Sequence, residues 1–443
     1  MNKSAIRWLY GELPTLVAGG IVSQESADRI QEHYGPVEES FSRTNVAMVI
    51  ISALCALLIG LGLILILAHN WDMYPRWVKT VMSLLPMVTG QALCLFAVYR
   101  FKDSRAWGEG AGTWLGLSIG SSIALISQTY HIEGSFHQFL LTWVLLGLPI
   151  LYSMNAILPG ILYIAGITFW CASSTTEDVS PMWYFGLLAL ALPYFAVRIR
   201  RSDAPIGGAF LAWTVCISLC VSLGFALEKT LPGLWIVIYS SLLAGMYLFG
   251  LRYVMEGERR GWHRAPLYIG AGGVAVMSLL LSYSWPWENI GWNHWRYGDD
   301  YSLFGGILDG VIAAFLLGTA SVQFLLRLRL KRADALFIGL APWIGLACYG
   351  IVSLSEHMEL IPMLIYNVYL LVLGGSLLSV GLKMLRFSLV NAGVAILSGW
   401  IIARFLDVDM GFLVRGLVFI AVGTALLGVN IYMLKAKRKP ANA

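Results

Sequence analysis

Along this chain apolar residues come in long unbroken runs, separated by short polar breaks, and do not alternate with polar ones. A helix rising 1.5 Å per residue needs about 20 such residues to cross a hydrocarbon core of about 30 Å. Windows of that length predict fourteen spans. The first seven are 46–68, 80–99, 112–129, 137–153, 156–172, 182–199 and 206–227. The second seven are 233–252, 266–284, 303–325, 335–354, 360–382, 387–404 and 411–434. Spans four and five are the least clearly divided, since only Met154 and Asn155 stand between their short runs. Barrel strands alternate over about ten residues, so the pattern predicts an all-α polytopic membrane protein and excludes a β-barrel.

Residues 1–44 follow a different period. Ile6, Leu9, Tyr10 and Leu13 recur at helical spacing, Ser23 stands before Gln24-Glu25 as an N-cap, and Ile30 to Tyr34 closes at Gly35. That reads as a cytoplasmic helical hairpin, followed by a transmembrane domain over 45–434 and a basic cytoplasmic tail over 435–443. The hairpin lacks the short apolar region and small-residue cleavage site of a signal peptide, so the first span is expected to act as the insertion signal.

Composition agrees with the pattern: 58% of the 443 residues are hydrophobic and 12% charged, against about 45–50% and about 25% in soluble proteins. A net charge of +5 would point to nucleic acid in a soluble domain, but here the basic residues sit between spans and topology accounts for them. With the N-terminus in the cytoplasm, 24 of the 30 Lys and Arg fall on that side, as the positive-inside rule requires, and both termini are cytoplasmic. The bilayer is therefore the expected partner and nucleic acid is not. All six cysteines lie inside apolar runs, which implies packing, with no disulfide framework and no metal site.

One internal likeness stands out. Trp114-Leu115-Gly116-Leu117 in the third span, led in by Arg100-Phe101-Lys102, is matched 229 residues on by Trp343-Ile344-Gly345-Leu346, led in by Arg329-Leu330-Lys331. Spans one to six would then correspond to spans nine to fourteen as a parallel repeat, one of the plans used by transporters.

Polar groups at membrane depth cost several kcal/mol unless they meet a partner or a cavity, which makes them the first candidates for function. Asp309, after Gly305-Gly306, is the foremost; a cap in the outer interface is its structural alternative. Gln91, Asn367 and Asn391 are uncharged, and hydrogen bonds between helices suffice to explain them. Five histidines, His69, His131, His137, His294 and His357, fall on the outer side with several carboxylates, among them Asp72 and Glu133, but none has HExxH-type spacing. The Trp285-Pro286-Trp287 stretch and the aromatics after it suit an interfacial belt, or a stacking surface over a pore mouth.

Three stretches carry a family resemblance. They are Trp8, Gly20, Ile21, Gln24, Ile30 and Tyr34 in the hairpin; Gly60 and Gly62 leading to Asn70-Trp71-Asp72, Pro75 and Lys79; and Gln128, Tyr130 and His131 before Trp143, Leu146 and Pro149. A looser echo is Ala403-Arg404-Phe405-Leu406-Asp407 running to Arg415-Gly416. In these the chain resembles the bacterial membrane family of domain of unknown function 2157. The resemblance implies a bacterial cytoplasmic-membrane location and imports no reaction and no cofactor. Where it coincides with the physical reading, the pathway candidates are Asn70, Trp71, Asp72, Gln128, Tyr130 and His131, beside Asp309, Gln91 and Asn367.

No Walker sequence is present, so ATP coupling is not expected. The leading expectation is a transporter or flippase-like protein for a small solute or lipid-linked substrate. The alternatives are a sensor or scaffold whose hairpin at 1–44 binds a cytoplasmic protein, and a membrane-embedded enzyme using outer-face His and carboxylate groups.

Overall fold

The structure is a computed structural model that describes residues 3–34, 71–102, 104–175, 179–200, 205–227, 232–257, 261–288, 290, 303–328, 333–354, 358–407 and scattered positions between 416 and 431. Every regular element among these residues is helical. The chain divides into two compact units, Met1–Lys79 and Thr80–Ala443.

In the first unit, α1 (Lys3–Ala18) and α2 (Gln24–Tyr34) pack on each other as a helical hairpin. Gly20 takes φ +69, a left-handed turn open to glycine without a Cβ penalty, and Ser23 caps α2 by accepting from the Ser26 N–H at 3.3 Å. Leu13 and Ala27 are buried and the Tyr10 hydroxyl donates to the Gln31 carbonyl at 3.1 Å. Gly35, the expected terminator, lies outside the described residues.

The second unit begins within α3 (Arg76–Arg100) and continues through α4 (Arg105–Tyr130), α5 (Phe136–Met154), α6 (Ile157–Ser174), α7 (Trp183–Arg200) and α8 (Pro205–Ala226). It goes on with α9 (Leu234–Met255), α10 (Arg264–Leu280), α11 (Leu303–Leu328), α12 (Ala333–Leu354), α13 (Leu360–Lys383) and α14 (Phe387–Asp407). Twelve of the fourteen expected spans thus stand as helices; span 46–68 lies outside the described residues and 411–434 is described only at scattered helical positions. Among the described residues ten helices are long and apolar enough to cross a bilayer, and Trp183–Ile199 and Arg264–Leu280 are shorter apolar helices. The protein is a polytopic helical membrane protein.

Among the described residues, the two most extensive of four apolar clusters organise this unit. One joins α5, α6, α7 and α8 around Ile164, Ile167, Trp170 and Tyr184. The other gathers α9, α10, α12 and α13 around Ile236, Leu248, Cys348 and Tyr366. Helix α9 is the central post of the second core, packed by α10, α11 and α12. A Cβ on Gly270 of α10 would overlap the backbone of Tyr247 and Leu243 on α9, so glycine lets these helices touch backbone to backbone. The matched helices α4 and α12 share the outward facing of Trp114 and Trp343 and the burial of Gly116 and Gly345. Their neighbours differ, since α4 packs on α5 and α6, whereas α12 packs on α9, α11 and α13.

Candidate functional site

The break between α5 and α6 builds the most unusual polar arrangement among the described residues. Asn155 takes a left-handed conformation (φ 48, ψ 38) and ends α5, its N–H bonding Leu151 O. Asn tolerates this conformation better than most residues. Ala156 is extended and cannot cap α6 with its methyl side chain, which leaves the first N–H groups of α6 without intrahelical partners. Glu109 of α4 supplies them: its Oε1 and Oε2 accept from the Ile157 N–H at 2.7 and 2.8 Å, and Oε2 also accepts from the Leu158 N–H at 2.8 Å. A carboxylate at a helix N-terminus also meets the positive end of the helix dipole. The Tyr194 hydroxyl of α7 closes the break by donating to the Ala156 carbonyl.

Around Glu109 opens a cleft of about 410 Å³. Lys102, Ser104 and Arg105 from the α3–α4 turn, Asn155 from the break and Arg198 near the end of α7 line it. Arg198 is only 3% exposed. Three cationic side chains therefore share one cavity with one carboxylate.

A second cleft, of about 640 Å³, lies at the other end of α4, between α3, α4 and α5. Its walls are mostly apolar, among them Leu84, Ile119, Ile123 and Leu146, and its polar groups include Ser127, Glu133 and Gln138. From Glu109 to Ser127 the helix rises about 27 Å, close to a hydrocarbon thickness. Between the clefts Trp143 of α5 lies across α4. Its indole N–H donates to the Gly116 carbonyl at 2.7 Å, and a Cβ on Gly120 would come within 3.1 Å of its Nε1.

Among the described residues, those expected from sequence do not gather in one cavity. Asn70 lies outside the described residues, and Asp72 sits in the 3-10 turn Trp71–Met73, with its side chain outside them too. Lys79 Nζ stands 5.8 Å from the centre of the half-buried Trp71 ring. Gln128, Tyr130 and His131 are exposed at the end of α4, beside the larger cleft but not among its lining residues. His131 ends the helix in a left-handed conformation (φ 50, ψ 44), and the Tyr130 hydroxyl bonds Thr80 Oγ1 at 2.8 Å, tying α4 to α3. Gln91 is exposed on α3.

Asn367 works as an interhelical fastener. Its Nδ2 donates to Ser282 O at 3.0 Å and Met363 O at 2.8 Å, and its Oδ1 accepts from Trp400 Nε1 at 2.7 Å. Asp309 is buried, 4% exposed, one turn before Ala313, which packs with Val237 and Ile238 of α9. Trp287 is core, its indole donating to Leu281 O at 2.8 Å, while Trp285 is exposed. His137 lies 3.3 Å from Ser173 Oγ with its ring against Trp170. Among the described residues no three His, Cys, Asp or Glu are placed to hold a metal ion.

Both clefts draw nearly all their residues from the first 160 positions. Residues 14–160 match the DUF2157 family. Its model is described as a predicted membrane protein, and it is the family that the hairpin and the α4 end resemble. No curated protein and no solved structure matches the chain. Within the DUF2157 region, Glu109 escapes a reading of the sequence because the apolar run starts at 112, whereas the helix begins at Arg105, more than a turn earlier. The signal was present: Glu109 is the one acid between Asp103 and Glu133.

Proposed function

We propose that this protein is a transporter or flippase-like protein for a small or lipid-linked amphipathic substrate, with a pathway that follows α4. The observation that carries this reading is the pair of clefts at opposite ends of that helix, one basic and one largely apolar, separated by Trp143 on Gly116 and Gly120. In this reading the arginine-rich end faces the cytoplasm, as the distribution of Lys and Arg favours. Alternating access then amounts to moving the Trp143 contact, and glycines at 116 and 120 give the indole room to slide. The test is reconstitution of the full chain in liposomes carrying a fluorescent phospholipid, with lipid exchange between leaflets read by quenching of the outer leaflet. Exchange above protein-free vesicles, and faster still in Trp143→Ala, is expected. Exchange no faster than in empty vesicles, together with no uptake of water-soluble amphipaths, would contradict the reading.

The hairpin supports a second reading, a scaffold, because it belongs to the first of the two compact units and exposes Ile21. Removing residues 1–34 separates the two: a transporter keeps its flux and a scaffold loses its cytoplasmic partner.

A further inference from the structure

We infer that the larger cleft, between α3, α4 and α5, binds an amphipathic cation. Glu133 and the exposed ring of Phe136 receive its ammonium group, and the wall around Ile119, Ile123 and Leu146 holds its apolar tail. That this cation is a substrate rests on the transport reading, which the inference deepens by giving the substrate its charge.

Four observations carry it. Glu133 is the one charged side chain among the residues lining this cleft, and it has no hydrogen bond or ion pair with any described residue. A carboxylate at the rim of an apolar cleft attracts a cation more strongly than one in open water, because the wall lowers the local dielectric. The hydroxyls along the wall add acceptors, since their protons are already directed to backbone carbonyls. Ser122 donates to Ser83 O at 2.6 Å, Ser127 to Ile132 O at 2.8 Å and Thr142 to Gln138 O at 2.9 Å. The rings form a series: Phe136 stacks on Phe139 with centroids 5.9 Å apart, and Phe139 on Trp143 at 6.3 Å. The face of such a ring attracts an ammonium group, and this series leads from the mouth to the Trp143 contact that separates the clefts. Finally, α4 rises about 12 Å from Ser127 at the polar rim to Ile119, so a ligand with its charge at Glu133 lays its tail on the apolar wall. An anionic amphipath meets no basic side chain on this lining, and the phosphate of a zwitterionic lipid would have no countercharge there.

The full chain is placed in phosphatidylcholine nanodiscs with a dodecylamine that carries a photoreactive diazirine near the end of its tail. After irradiation the labelled residues are identified by mass spectrometry. Labels are expected on α4 and α5 around Ile119, Ile123 and Leu146, and dodecyltrimethylammonium should compete them away where dodecanol and laurate do not. Labels absent from the cleft overturn the inference. Labels that dodecanol removes equally well assign the cleft to any alkyl chain and overturn the choice of a cation. Glu133→Gln, at an exposed position, should raise the competing concentration about tenfold, the value of a charge-assisted bond, and Glu133→Asp should restore most of it. Glu288→Gln, an exposed acid outside the cleft, should leave it unchanged; an equal shift there would mean bulk surface charge and would overturn the site. Labelling needs no flux, so a chain that binds the cation without transporting loses the transport reading and keeps this site. Lipid exchange without labelling in the cleft keeps the pathway and loses the site.

Discussion

At the scale of single residues, the polar groups inside this membrane protein include interhelical fasteners and exposed groups. Asn367 links three segments through Ser282, Met363 and Trp400, whereas Gln91 is exposed on α3. Interhelical hydrogen bonds in membranes contribute about 0.6–2 kcal/mol, so Asn367→Leu should lower stability by about 1–2 kcal/mol in detergent unfolding while Gln91→Leu leaves it unchanged. Glu109→Ala leaves the Ile157 and Leu158 N–H groups without their carboxylate, and a loss of about 1–3 kcal/mol is expected in the same measurement. Glu109→Gln should recover some of that loss. Asn367 read from the sequence both as a pathway candidate and as explicable by hydrogen bonding between helices, because an amide inside an apolar run has few other roles. Sequence alone could not mark Glu109, whose partners are 48 and 49 residues away and exist only once α4 lies beside α6.

At the scale of elements, the spans were legible because their physical cause is local: an apolar run of sufficient length, closed by polar residues. The division at Asn155, the least certain in the sequence, is a genuine break made by a left-handed Asn and an extended Ala156. Asn155→Ala should cost about 1 kcal/mol through the left-handed backbone, while Asn155→Gly should be tolerated, and Tm compared across the pair measures this. What the run of apolar residues hides is where a helix begins before its apolar face does, as in α4, whose first turns carry Arg105 and Glu109. Tyr130 and His131 read as pathway residues because they are polar at a span end. The structure gives His131 a second reason to be there, terminating α4, and gives the Tyr130 hydroxyl a tie to Thr80.

At the scale of the molecule, the interior of the second unit holds two extensive apolar cores beside smaller clusters, and two clefts lie along α4 and α5, within the DUF2157 region except for Arg198. The central claim is that these clefts open to opposite sides of the membrane. Gln138 and Ser153 are exposed residues at opposite ends of α5, each lining one cleft. The most direct measurement is labelling of Gln138→Cys and Ser153→Cys in whole cells and in inverted vesicles with a membrane-impermeant maleimide, against the native-cysteine background. The account predicts that Gln138→Cys labels only in cells and Ser153→Cys only in inverted vesicles; labelling of both from one side would contradict it.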